Sequence, residues 1–226
     1  MFYFLHMTSF VKGALRREQE TRGLPMAQKR PTKRRKVKRA AKSAADGHER
    51  LKDFLDPTEM DRLLEAAKAG RHGVRDYALL LMMYRHGLRV SEAVGMKRDA
   101  VNMRRARVWV NRTKNSLSTE QPLPGDELRA IKRYLATRED SLPWLFVSAQ
   151  QTQMTRQAVN YLVAQAGARA KLGHVHPHML RHSCGYYLAN KGVDFRTTQD
   201  FLGHRDPKHT TRYTRVAGSR FEGLWD

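Results

Sequence analysis

Cysteine is nearly missing from this chain: Cys184 is the single one in 226 residues. One thiol excludes an internal disulfide framework and a cysteine-rich zinc site, and it fits a reducing cytoplasm. Long apolar runs are missing too, none approaching the roughly 18 residues that a bilayer span requires. The opening MFYFLHM is apolar, yet it has no basic segment ahead of it and is short for a signal-peptide core. Met1, Met7 and Met26 all stand as candidate starts. Acid is the scarce charge, with 22 Asp and Glu against 43 Lys and Arg, a net charge of +21. Such an excess implies an anionic polymer or surface as partner, nucleic acid ahead of membrane.

What is present is enough apolar material, 40% of residues, for one full domain and a tail. The tail is residues 1–50, and the folded domain runs over 51–226. From Lys29 to Lys42 the sequence KRPTKRRKVKRAAK carries nine basic residues and no acid. A block of this kind repels itself and has no apolar period, so it is expected to be disordered when free. Lys33, Arg34, Arg35, Lys36, Lys38 and Arg39 are its densest part. Counterion release favours their contact with a DNA backbone, without sequence preference, over a merely solubilising role.

In the folded part, LDPTEMDRLLEAAKAG starts a helix at Asp56, with Pro57 at its first position and Glu59 at its third. Met60, Leu63, Leu64 and Ala67 share one face, and Gly70 is the expected stop. VRDYALLLMMYRHG is apolar on most sides, which predicts a central helix ending at Gly87. A short helix follows over Ser91 to Val94. The period then changes, with Val108 and Val110 alternating ahead of turn residues near 111–116, and a small three-stranded antiparallel sheet is predicted. Helices return over Asp126–Thr137, Thr155–Ala170, Pro177–Asn190, Phe195–Leu202 and Pro207–Tyr213. The fold class is mainly α with that one sheet.

The stretch HPHMLRHSCGYYLANKG concentrates the chemistry. Pro177 suits the first position of a helix, which puts His178 and Arg181 in the opening turn beside free backbone N–H groups, an arrangement suited to phosphate. Further along, Leu180, Cys184, Tyr187 and Leu188 follow helical spacing and are expected to face the core, which makes Cys184 a packing residue. His174, His176, His178 and His182 could instead suggest metal. Metal sites usually add carboxylate or thiolate ligands, however, and no acid lies nearby, while Arg181 in the middle of the cluster disfavours a cation. No metal and no cofactor is expected.

Three further stretches add complementary groups. HGLRVSEA places Arg89 after a helix-ending glycine with Glu92 three residues on; RTKNS puts Lys114 at a strand turn; DFLGHRDPKHTTRYTRV gives His204, then Tyr213. Order and spacing together resemble the tyrosine recombinases, also called the phage integrase family. Family members show an Arg in a GLRxSE-like segment, a Lys in a β-turn, an HxxRH box, an LGH box and a Tyr about nine residues later. These fall on Arg89, Lys114, HMLRH with His178 and Arg181, LGH with His204, and Tyr213. The wording looks closest to the short bacterial recombinases that invert fimbrial promoter segments.

The resemblance implies a tyrosine recombinase catalytic domain that joins Tyr213 to the 3′ side of a DNA break and then reverses the exchange, without metal or ATP. Arg89, Arg181 and His204 would donate to the phosphate oxygens, Lys114 would protonate the leaving 5′ oxygen, and His178 would accept the phenolic proton or orient the phosphate. Glu92 would hold Arg89. Duplex DNA is the implied partner, with a homotetramer on paired sites. The chain departs from full-length integrases in having only about 50 residues where a core-binding domain usually stands, so grip on the far side of the duplex comes from the tail, from an accessory DNA-binding partner, or not at all. Phe221, Leu224 and Trp225 would dock on a neighbouring subunit or close their own core. Two other readings stay open: a type IB topoisomerase-like relaxing enzyme, and a non-catalytic DNA-binding remnant of a mobile element.

Overall fold

The computed structural model describes residues 53–113 and 116–214. The basic tail, Lys114 and the segment with Phe221, Leu224 and Trp225 lie outside the described residues. Eight helices and three strands follow one another among the described residues: α1 (Pro57–Lys68), α2 (Gly73–Arg85), α3 (Val90–Gly95), β1 (Val101–Asn102), β2 (Arg107–Val110), β3 (Thr119–Pro122), α4 (Gly125–Leu135), α5 (Arg156–Arg169), α6 (Pro177–Asn190), α7 (Phe195–Leu202) and α8 (Lys208–Thr214). Mainly α with one three-stranded antiparallel sheet is the architecture expected from the sequence, and every expected helix end lies within two residues of the observed one.

The local signals act as chemistry requires. Asp56 accepts from the Glu59 N–H at 2.9 Å while Glu59 accepts from the Asp56 N–H at 2.9 Å, a reciprocal cap that satisfies two free donors of α1. α2 is the hub. Leu79, Leu80, Met82 and Met83 are fully buried, because the helix is enclosed by α1, α4 and α6. The sheet runs β1-β2-β3 with Val108 opposite Gln121 and Trp109 opposite Glu120. Val108 and Val110 point inward, and Trp109 points out.

Two expectations need correction. α1 is closed by Ala69 in a right-handed conformation, one residue before Gly70, because the terminal N–H of Ala69 already reaches the Glu65 and Ala67 carbonyls. In α6 it is Tyr186 that is buried, while Tyr187 is exposed. The helix is packed on several sides at once, against α2, α5, α7 and α8, so one apolar stripe does not define its inner face.

Gly203 ends α7 in the left-handed conformation at φ +69°. A Cβ there would stand 2.7 Å from the Leu117 carbonyl oxygen and 2.8 Å from Arg112 Cγ. Gly203→Ala is therefore expected to lose about 2 kcal/mol or more, read as a lowered urea midpoint with an unchanged slope.

Candidate active site

Glu92 organises the site from the first turn of α3. Its Oε2 accepts the Arg89 backbone N–H at 2.9 Å, and its Oε1 accepts the Arg89 guanidinium at 2.7 Å. Arg112 Nη1 donates to Oε2 at 2.9 Å, and Arg181 Nη1 stands 4.0 Å from the same oxygen. Burial pushes the Glu92 carboxyl up, but Arg112, the two donors of Arg89 and then Arg181 outweigh it and hold it below the usual carboxylate range. One negative charge thus sits among three guanidiniums, and the cluster keeps two positive charges in excess. A phosphodiester carries the charge that this surplus lacks.

Arg112 and Arg181 are anchored by two helix ends. Arg112 donates to the His86 carbonyl at 2.7 Å, the Gly87 carbonyl at 3.1 Å and the Phe201 carbonyl at 2.7 Å. Arg181 donates to the same Gly87 carbonyl and to the Leu202 carbonyl, the latter at 2.7 Å. The last carbonyls of a helix have no partner inside it and carry partial negative charge, so the C-terminal ends of α2 and α7 both favour guanidinium. Burial, and then Arg112 and Arg89, bring Arg181 down to about 10, which leaves it charged at neutral pH. Arg89 keeps a quarter of its side chain exposed, with Ser116 Oγ 3.4 Å from Nη1.

The imidazoles and the phenol form a row. Ring centres are 6.3 Å apart from His178 to His182, 6.0 Å from His182 to Tyr213 and 6.2 Å from Tyr213 to His204. His178 is exposed, on the first turn of α6, and its pKa is lowered by burial and by His176, Arg181 and Arg89. His204 is buried, with Nδ1 2.9 Å from Thr210 Oγ1, and burial followed by Arg181 and His209 brings it down to about 3. It is neutral at pH 7 and serves as a hydrogen-bonding group rather than a cation. Tyr213 is only 1% exposed, and burial pushes its phenol up to about 12.

Arg89, Glu92, Arg181, His178, His204 and Tyr213 are thus brought to one region, while Lys114 lies outside the described residues. Its neighbours bracket the cluster, with the Thr113 N–H donating to Glu92 Oε1 at 3.2 Å and Ser116 beside Arg89. Two residues were missed by sequence reasoning. Arg112 had a signal, since Val108, Val110 and Arg112 alternate and the inward face of β2 continues onto it. His182, weighed only as a metal ligand, places Nδ1 3.0 Å from Tyr213 Oη, and no spacing rule announces that contact. Among the described residues no group of three or more His, Cys, Asp or Glu is placed to hold a metal ion. None of the described helices is long and apolar enough to cross a membrane.

Beside Arg89 a groove of about 840 Å³ opens, lined by Arg156, Asn160 and Tyr161 of α5 and by His174, His176 and His178. Its walls mix donors, an exposed aromatic ring and positive charge, a combination suited to a nucleic-acid backbone.

The profile of the Phage integrase family matches residues 53–220. The chain belongs to this family. As a phage integrase family member it is a tyrosine-type site-specific recombinase catalytic domain, as the resemblance in the motifs implied. It is 39% identical over 191 residues to the type 1 fimbriae regulatory protein FimB of Escherichia coli, covering 82% of this chain and 94% of FimB. Over 179 residues it is 38% identical to FimE of the same organism, covering 76% of this chain and 90% of FimE. Among solved structures, XerA recombinase matches with a TM-score of 0.67 at 25% identity, over 76% of this chain and 63% of that one. XerH recombinase bound to its palindromic difH substrate shares the fold with a TM-score of 0.65 at 20% identity, over 78% of this chain and 54% of that one. The integrase family chain therefore spans nearly all of the fimbrial regulators and less than two thirds of these two recombinases.

Proposed function

We propose that this chain cuts and rejoins duplex DNA at paired sites, with Tyr213 as the attacking nucleophile. The observation that carries the reading is the convergence of Arg89 and Arg181 on one buried carboxylate, Glu92, beside the row of His178, His182, Tyr213 and His204. The phenol oxygen forms a phosphodiester with the 3′ side of the break as the 5′ oxygen departs, so one ester replaces another and no nucleotide energy is needed. Arg89 and Arg181 oppose the charge that grows on the non-bridging oxygens, with His204 as a further donor. His178 orients the phosphate or takes the phenolic proton, and Lys114 protonates the leaving oxygen. Glu92 holds Arg89 at two points, with Oε1 on the guanidinium and Oε2 on the backbone N–H.

Residues 1–50 act as a separate basic tail, in which Lys33, Arg34, Arg35, Lys36, Lys38 and Arg39 bind backbone phosphates. The partner is double-stranded DNA in the cytoplasm, held by four copies on two sites.

The test uses nicked duplexes with randomised arms, incubated with the full chain in EDTA, stopped with detergent and probed for covalent adducts. Adducts are expected, and sequencing the trapped DNA yields the site. A two-site duplex built from that sequence should give recombinant joints; relaxation of supercoils without joints would favour the topoisomerase-like reading. Binding without adducts would favour the remnant. Adducts lost in chelator and restored by a divalent ion would overturn the metal-free mechanism.

A further inference from the structure

His182 is the half-buried imidazole whose Nδ1 lies 3.0 Å from Tyr213 Oη. Its other nitrogen, Nε2, lies 3.4 Å from Arg212 Nη1. A guanidinium carries donors only, so at that contact Nε2 must accept. The ring proton then sits on Nδ1, and Nδ1–H donates to the phenol oxygen. Arg212 is itself tied by an ion pair to Asp53, just ahead of α1. Four residues from three parts of the chain therefore set the direction of one hydrogen bond. Gly185 makes the contact sterically feasible, since a Cβ on it would stand 2.6 Å from Tyr213 Cε2 and 2.7 Å from Cζ.

We propose that His182 is a positioning residue for the nucleophile: held as the Nδ1–H tautomer by Arg212, it donates to Tyr213 Oη, fixes that oxygen and favours its ionised form. The inference rests on Tyr213 being the nucleophile. A donor to the phenol oxygen leaves the phenolic proton free to depart in another direction and opposes the burial that makes ionisation costly. The groups that face His182 are Arg212 of α8, Asp53, and His178 and Arg181 of α6. Burial and then Arg212 bring its pKa down to about 4, so the ring stays neutral through the range in which the phenol begins to ionise. Arg181, Arg212, Cys184, Tyr186 and the His204 ring face Tyr213.

The experiment compares wild type, His182→Leu and His182→Asn in single-turnover cleavage of the trapped site between pH 6 and 10, with folding checked by circular dichroism and DNA affinity by mobility shift. The leucine variant should fold and bind, cleave at least about tenfold more slowly, and show its rise in rate displaced to higher pH. The asparagine variant, whose amide N–H can stand where Nδ1–H stands, should recover most of the rate and the original profile. A leucine variant with the wild-type rate and profile, or with faster cleavage, overturns the inference. Absence of adducts from wild type sinks the nucleophile assignment itself, so the two failures are distinguishable. Should the leucine variant not fold, Arg212→Leu gives the second reading: with no donor left to hold Nε2, cleavage should slow with the same displacement, and an unchanged profile there overturns the proposal.

Discussion

Tyr213→Phe is expected to fold, to bind DNA with wild-type affinity and to yield no covalent protein–DNA adduct. The ring is what the fold uses: it lies against Gly185, meets Tyr186 edge-on at 5.2 Å and stacks on His204. Phenylalanine keeps all of these contacts. The hydroxyl makes the hydrogen bond to His182, whose loss costs about 1 kcal/mol. In the proposed mechanism the oxygen of the same hydroxyl becomes esterified, so the loss in cleavage should exceed about 10⁴-fold, as when the nucleophile is removed from other covalent catalysts. Denaturing gels score the adduct and a native mobility shift scores binding. Adducts formed by the phenylalanine protein would move the nucleophile to another residue.

The largest effect on stability is expected at Glu92. Its carboxylate is buried against Arg112, also buried, and within 4.0 Å of buried Arg181. Glu92→Ala leaves those guanidiniums facing one another without a counter-charge, which costs about 3–5 kcal/mol when one partner of a buried ion pair is removed. The pH dependence follows from the lowered pKa. A carboxyl held below its unfolded value contributes stability that is complete above the unfolded pKa and disappears as pH falls through the folded one. Wild type should therefore lose stability from about pH 5 downward, and the alanine variant should lack Glu92's share of that slope. Urea midpoints measured at pH 7, 5 and 3 check both statements. An alanine variant as stable as wild type at pH 7 would show that the carboxylate does not neutralise the cluster.

Much of this fold is legible because its signals are local. The Asp56–Glu59 cap, Pro177 at the start of α6, the left-handed Gly203 and the Val108–Val110 alternation each depend on residues a few positions apart. The order Arg89, Lys114, His178–Arg181, His204 and Tyr213 is legible as well, since those residue types at those intervals are rare together. What is not legible depends on packing between distant segments. Tyr186 replaces Tyr187 in the interior because α8 lays Tyr213 on that side of α6. Arg112 continues the inward alternation of Val108 and Val110, but what it meets there is decided only when the ends of α2 and α7 come together around it. His182 reads as one imidazole among four until the chain returns with Tyr213 and Arg212, some 30 residues later.

The Gly87 carbonyl, gripped by Arg112 and Arg181 together, carries a consequence for how the enzyme comes into being. The cation pair exists only where the ends of α2 and α7 already meet, which requires segments from residue 86 to residue 202 to have closed on one another. Neither guanidinium has a preformed local partner that would hold it in the cleft of a half-folded chain. On the proposed mechanism, a chain whose last helices have not docked still carries its positive charge but lacks the paired guanidiniums that strand breakage requires.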